Sequence, residues 1–291
     1  MRKYVPVPSW YLSFSGAGHL ISYHLGVATT LLSASTTKNS LEEDEIRPKI
    51  DVVAGSSSGA IVAAVLGCFP HRLDEYTDRF LKDGGRAFGN FQEMLLQENT
   101  TDTALPRLKI ATTNCLDGSL KLFSFDYNAQ QQLPDQLEKD RILRALQASC
   151  RIPGTFHPWD LFAKEVSYPE NDGIEIDGDY YVDGGIAAPA PLDKSFDYAN
   201  TIIVSPISGS LSSSSSSSSI CHSIRPKDLS WKLPIVGDLT ARCGTFRITP
   251  SVQNLQALIT SVGIASPQVL RDWYQRGVED AEAFLVGQSI N

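Results

Sequence analysis

A chain of 291 residues has room for one large domain or two ordinary ones, and with 42% hydrophobic and 20% charged residues disorder is excluded for most of it. Its 25 basic against 33 acidic side chains leave a net charge of −8. Nucleic acid is therefore excluded as an expected partner, and broad docking on anionic lipid headgroups is disfavoured. The five cysteines are scattered, without a Cys-x-x-Cys pair, and the five histidines lack a His-x-x-x-His spacing. Reduced thiols fit better than a disulfide frame, and no metal site is expected. Residues 1–10 lack a signal-type apolar core, and the longest apolar run, near 60–69, is about half of what spans a bilayer. No transmembrane segment is expected, and the location is expected to be cytoplasmic or peripheral.

Residues 11–14 form a short strand candidate, followed at once by Ser15-Gly16-Ala17-Gly18. From 19 to about 32 the apolar residues recur with a helical rhythm. An acidic loop leads into a buried-strand run at 50–54, then Gly55-Ser56-Ser57-Ser58-Gly59, then a helix of small residues over 60–69. Strand, turn and helix thus occur twice within about 70 residues, which implies an α/β class with parallel strands. Residues 108–113 and 121–125 alternate around Asp117-Gly118 as a hairpin. Residues 141–150 read as a helix, 179–182 as a strand ending at Asp183-Gly184-Gly185, 201–204 as a central strand and 268–285 as an amphipathic helix. The serine tract 212–219 reads as a disordered surface loop, near 210–220, inside one domain spanning 1–291.

Gly55-x-Ser57-x-Gly59 is the central chemical signal. Alone it is a common chance pattern, but here a β-branched run precedes it and a small-residue helix follows, the context of a nucleophile elbow. Such a turn pushes the serine hydroxyl into the open and needs tiny flanking residues, and the helix start aims its amides at developing negative charge. Gly16-Ala17-Gly18 also joins a strand to a helix and reads as an anion cradle; a dinucleotide fingerprint is disfavoured because Ile21 stands at its third glycine position. Two Asp-Gly-Gly sequences compete for the base. Asp83-Gly84-Gly85 follows a helical stretch and reads as a helix stop, whereas Asp183 ends a strand, so Asp183 is the expected base for Ser57. His222, beyond the serine tract, is the rival base of a Ser-Asp-His triad; His157 reads as part of a pocket wall and His19 as a surface residue near the anion loop.

These pieces resemble the patatin-like phospholipase family. Gly16-Ala17-Gly18, Gly55-x-Ser57-x-Gly59 and Asp183-Gly184-Gly185 stand in the family's order, and 148–156 resembles its stretch ahead of the aspartate. Residues 14–28, 204–209 and 270–285 are similar to the adipose triglyceride lipase-like branch. The resemblance implies a three-layer α/β/α fold with a mainly parallel sheet, and a serine acyl hydrolase that uses neither metal nor cofactor. Ser57 and Asp183 would form its dyad, with the amides of Gly16, Ala17, Gly18 and Ser58 as the oxyanion hole. The implied substrates are glycerolipid esters at a membrane or lipid-droplet surface. A transacylase using the same serine, and a non-catalytic lipid-binding scaffold, are the alternative expectations. Apolar stretches at 88–96, 159–162 and 231–236 are candidates for an acyl groove.

Overall fold

A computed structural model describes residues 9–36, 49–83, 85–98, 105–126, 136–161, 163–193, 200–211, 221–227, 230, 239–240, 246–263 and 265–288. The first half contains β1 (Ser9–Phe14), a 3-10 turn (Gly18–Leu20), α1 (Ile21–Thr36), β2 (Lys49–Ser56), α2 (Ser58–Cys68), α3 (Leu73–Lys82), α4 (Ala87–Gln97), β3 (Arg107–Asn114) and β4 (Leu120–Phe125). Then come α5 (Gln136–Ser149), β5 (Ile174–Ile176), β6 (Asp179–Asp183), α6 (Gly184–Ala187), β7 (Thr201–Val204), β8 (Gly209–Leu211) and β9 (His222–Ile224). β10 (Leu239–Thr240), β11 (Phe246–Ile248), α7 (Val252–Val262) and α8 (Pro267–Gln288) complete the order.

The central sheet is mainly parallel. Its parallel strands lie in the order β3-β2-β1-β7-β9, while β4, β5 and β6 extend it antiparallel beyond β3. Strands covered on both faces must be apolar on both, as Tyr11, Leu12, Val52, Val53 and Ala54 are. Every residue of α2 is buried, and its glycines and alanines let it lie directly on the sheet. One large core joins Leu12, Phe14, Val53 and Ile110 to α1, α2, α4 and α5. The opposite face is covered more thinly. Leu192 packs there on Tyr11, Val52 and Ala54, and Ile186 of α6 packs on Cys115 and Val182. The flanking helices of the expected sandwich are therefore unevenly shared between its two sides.

α1 and α8 cross in backbone contact. A Cβ on Gly26 would stand 2.1 Å from the Tyr274 carbonyl, and one on Gly277 would stand 2.2 Å from the Tyr23 carbonyl. Alanine raises helix propensity by about 1 kcal/mol over glycine. Overpacking against backbone that cannot yield costs about 1–3 kcal/mol, so the clash wins. Gly277→Ala is expected to lower the unfolding free energy by about 1–2 kcal/mol in chemical denaturation.

Several elements depart from the sequence expectation. α5 begins at Gln136 rather than at 141: the only apolar side chain over 136–140 is the exposed Leu137, so no apolar rhythm marks that turn. The one-turn α6, and α4 and α7 as helices, carried no sequence assignment, nor did the small antiparallel sheet β10-β11-β8. The serine tract and the apolar stretch at 231–236 lie outside the described residues.

Candidate active site

Sheet register brings the serine and the aspartate together. Ser56 pairs with Ala111 of β3, and the next β3 residue, Thr112, pairs with Asp183. Ser57 and Asp183 thus leave the sheet on the same rung, with β3 between them, although 126 positions separate them in sequence. Phe14 is level with Gly55 on β2, so the Ser15–Gly18 loop leaves β1 beside the same edge. This is the carboxyl edge of the parallel strands, where ligands of open α/β sheets collect.

Ser57 has φ 51° and ψ −130°, a left-handed conformation that a residue bearing a Cβ adopts only under strain. The neighbouring glycines make the turn sterically possible. A Cβ on Gly55 would lie 2.3 Å from the Gly59 carbonyl, and one on Gly59 would lie 2.4 Å from the Ser15 carbonyl. The Ser57 amide donates to the Ser149 hydroxyl at 2.9 Å, fastening the elbow to the end of α5. The Ser57 carbonyl accepts from Ala60 at 2.9 Å, which starts α2.

Asp183 is held from every side. Its amide donates to the Arg151 carbonyl at 2.9 Å, and its own carbonyl accepts from the Thr113 hydroxyl at 2.7 Å. Its carboxylate caps α6, accepting from the Gly185 amide at 2.7 Å. A Cβ on Gly184 would lie 2.1 Å from the Ala111 carbonyl, so only glycine lets α6 close against β3. Burial raises the Asp183 pKa to about 6, against the smaller opposing effects of a hydrogen bond from the Ser57 hydroxyl and the one from the Gly185 amide. Desolvation disfavours the carboxylate; the two donors favour it, and desolvation wins. Burial, with the Asp183 charge adding to it, also pushes the Cys150 thiol well up, so that group stays protonated.

The Gly16–Gly18 loop is tied down by two of its own amides. Gly16 donates to the Pro189 carbonyl at 2.9 Å, and Ala17 donates to the Ser58 hydroxyl at 3.0 Å. The four nominated oxyanion donors therefore divide. Gly16 and Ala17 are engaged within the chain, whereas the amides of Gly18 and Ser58 stand at the first positions of their helices, where no intrahelical acceptor exists. Behind the loop, the fully buried His24 donates from Nε2 to the Ser15 carbonyl at 2.8 Å. Burial lowers its pKa to about 4, so the ring is neutral. Ser149 and His24 were not singled out in the sequence, because their contacts have no local signature.

A cavity of about 610 Å³ opens over Ser57 and Asp183. Its walls include Ile21, Ile61, Phe80, Phe88, Phe156 and Ile186, so most of it is apolar. Of the stretches nominated for a groove, Phe88 and Leu161 reach it, whereas Phe91, Met94 and Leu95 pack in the core. His19 lines the cavity, with Nδ1 3.3 Å from the Ser261 carbonyl. His157 does not line it, contrary to the expected pocket-wall role; its neighbour Phe156 does. His222 sits in β9 with its ring between Trp10 and Phe284, and it is not among the cavity residues. Among the described residues no cluster of three His, Cys, Asp or Glu side chains is arranged to hold a metal ion. Nor is any described helix long and apolar enough to cross a membrane.

A strained serine elbow beside a buried aspartate, at the carboxyl edge of a mainly parallel sheet, has the form of a hydrolase site. Residues 12–194, more than half of the chain, match the profile of the patatin-like phospholipases. The chain belongs to this family of lipid ester hydrolases. It is 25% identical over 295 residues to human patatin-like phospholipase domain-containing protein 4, covering 96% of this chain and 97% of that protein. It is 27% identical over 302 residues to human patatin-like phospholipase domain-containing protein 2, covering 95% of this chain but only 48% of that one. The bovine form of protein 2 is 26% identical, with 95% and 50% covered. The chain thus spans nearly all of the first relative and about half of the others. Among solved structures, VipD from Legionella pneumophila aligns over 69% of this chain and 50% of its own, with 15% identity and a TM-score of 0.40.

Proposed function

We propose that the protein hydrolyses fatty-acyl esters of glycerolipids through a Ser57–Asp183 dyad. The observation that carries this is the Ser57 hydroxyl beside the buried Asp183 carboxylate, close enough to oppose the rise of its pKa, with both residues lining a mostly apolar cavity. Ser57 attacks the ester carbonyl while its proton passes to Asp183. The amides of Gly18 and Ser58 receive the oxyanion, and those of Gly16 and Ala17 hold the loop in place. Protonated Asp183 then gives its proton to the departing alcohol. Water attacks the acyl-enzyme, losing a proton to Asp183; as the acyl–Ser57 bond breaks, Asp183 returns that proton to the Ser57 oxygen and the fatty acid leaves. A carboxylate of ordinary pKa is a poor base for serine; one raised to about 6 by burial is a stronger one, still ionised at neutral pH. Neither metal nor cofactor takes part in these steps.

The pH profile tests this reading. Asp183 must be ionised to accept the proton, so kcat/KM on a soluble ester rises with pH through about 6 and is level above it. Titration with phospholipid, diacylglycerol and triacylglycerol, following released fatty acid, identifies the substrate. Release from none of these, with folded protein, would refute the hydrolase assignment.

A further inference from the structure

α7 is an amphipathic helix turned outward. At 100° per residue, Val252, Leu255, Leu258, Ile259 and Val262 fall within an arc of about 120°. All five are exposed, from 41% at Val252 to 75% at Val262. The inward side carries Asn254 and Ala257, which are buried. Polar bonds fix this orientation. The Asn254 side chain accepts from the Ser208 amide at 2.9 Å and donates to the carbonyls of Ser208 and Thr249, both at 2.7 Å. Rolling the helix to hide its leucines would break all three and strand a buried amide.

The outward face is continuous with the cavity. Leu258 and Val262 belong to both, and Ile152 also lines the cavity while remaining 60% exposed. Ser261, between them on the inward side, lies against the anion loop, where a Cβ on Gly18 would stand 2.1 Å from its carbonyl. α7 is therefore rigidly placed at the entrance.

We propose that the outward face of α7, together with the exposed Ile152 that lines the same cavity, docks on a lipid layer without net charge and sets the cavity mouth against it. The inference rests on the hydrolase reading for what enters the cavity. Charge selects the occupant. α7 carries no ionisable side chain, and the chain's net charge is −8, so α7 offers none of the basic groups that an anionic layer rewards. A second copy of the chain is a poorer fit. Five side chains fall short of the ~800 Å² per partner of a standard protein interface. A copy seated here would also close the mouth.

The test uses the full chain carrying Ser57→Ala, so that binding is read without turnover, in co-flotation with phosphatidylcholine vesicles. Leu255 and Ile259 lie on the exposed arc but outside the cavity lining, so Leu255→Ser with Ile259→Ser is the loss variant. Its partition onto vesicles is expected to fall about tenfold or more. Gln256→Leu, which widens the arc, is expected to raise it. With Ser57 restored, the loss variant should turn over soluble p-nitrophenyl butyrate at the parent rate, which also shows that it folds. Unchanged flotation in the loss variant would overturn the proposal. So would flotation that requires an anionic phospholipid, or a parent dimer that the loss variant dissociates. If flotation follows the arc while no ester is cleaved by protein with Ser57 intact, the docking surface stands and the hydrolase reading falls.

Discussion

Ser57→Ala is expected to abolish ester turnover, lowering kcat by about 10⁴-fold or more, while the protein stays folded. The separation is possible because the elbow is fastened by main-chain bonds. The Ser57 amide to Ser149 and the Ser57 carbonyl from Ala60 survive loss of the hydroxyl. The residual rate would come from the oxyanion donors and the cavity. Conformation adds a second arm to the same experiment. At φ 51° a Cβ is strained, so Ser57→Gly should be as inactive as the alanine variant but more stable by about 1 kcal/mol. Equilibrium unfolding of the three proteins reads that difference. A glycine variant less stable than alanine would mean that the turn is not strained.

Asp183→Asn is expected to be almost as damaging to activity, because an amide takes no proton from serine. Its effect on stability should have the opposite sign. The Asp183 pKa is raised in the fold, from 3.8 to about 6, so the folded state holds this proton more tightly than the unfolded one. Stability therefore falls as pH rises from about 4 to about 6, and the cost persists above. A shift of about two pK units corresponds to roughly 3 kcal/mol as an upper figure. Asparagine retains an oxygen for the Gly185 amide and carries no charge. At pH 7.5 Asp183→Asn should be at least as stable as the parent, and up to ~3 kcal/mol more so. At pH 4 the two should converge. A marked loss of stability at pH 7.5 would mean that Asp183 is chiefly structural.

What could be read from the sequence was local. The elbow glycines stand where backbone atoms approach within 2.4 Å of any added Cβ, so residue type alone announced the turn. The hairpin of β3 and β4, the helix stop after Lys82 and the helical α8 followed from short-range periodicity and turn residues in the same way. What escaped was non-local. Ser149 reaches the Ser57 amide across 92 positions, and nothing around Ser149 marks it for that role. The engagement of the Gly16 amide by Pro189 depends on where the chain passes after α6. α7 shows why periodicity alone is insufficient. Its apolar spacing is regular, but only Asn254, held by Ser208 and Thr249, reveals that the apolar side faces out.

Reaction with a fluorophosphonate probe, followed by peptide mass mapping, tests most directly whether Ser57 is an activated nucleophile that depends on Asp183. The folded parent should be labelled on Ser57 alone, Asp183→Asn should label far more slowly, and His222→Ala should label at the parent rate. An unlabelled Ser57, or labelling that survives Asp183→Asn and vanishes in His222→Ala, would contradict the dyad.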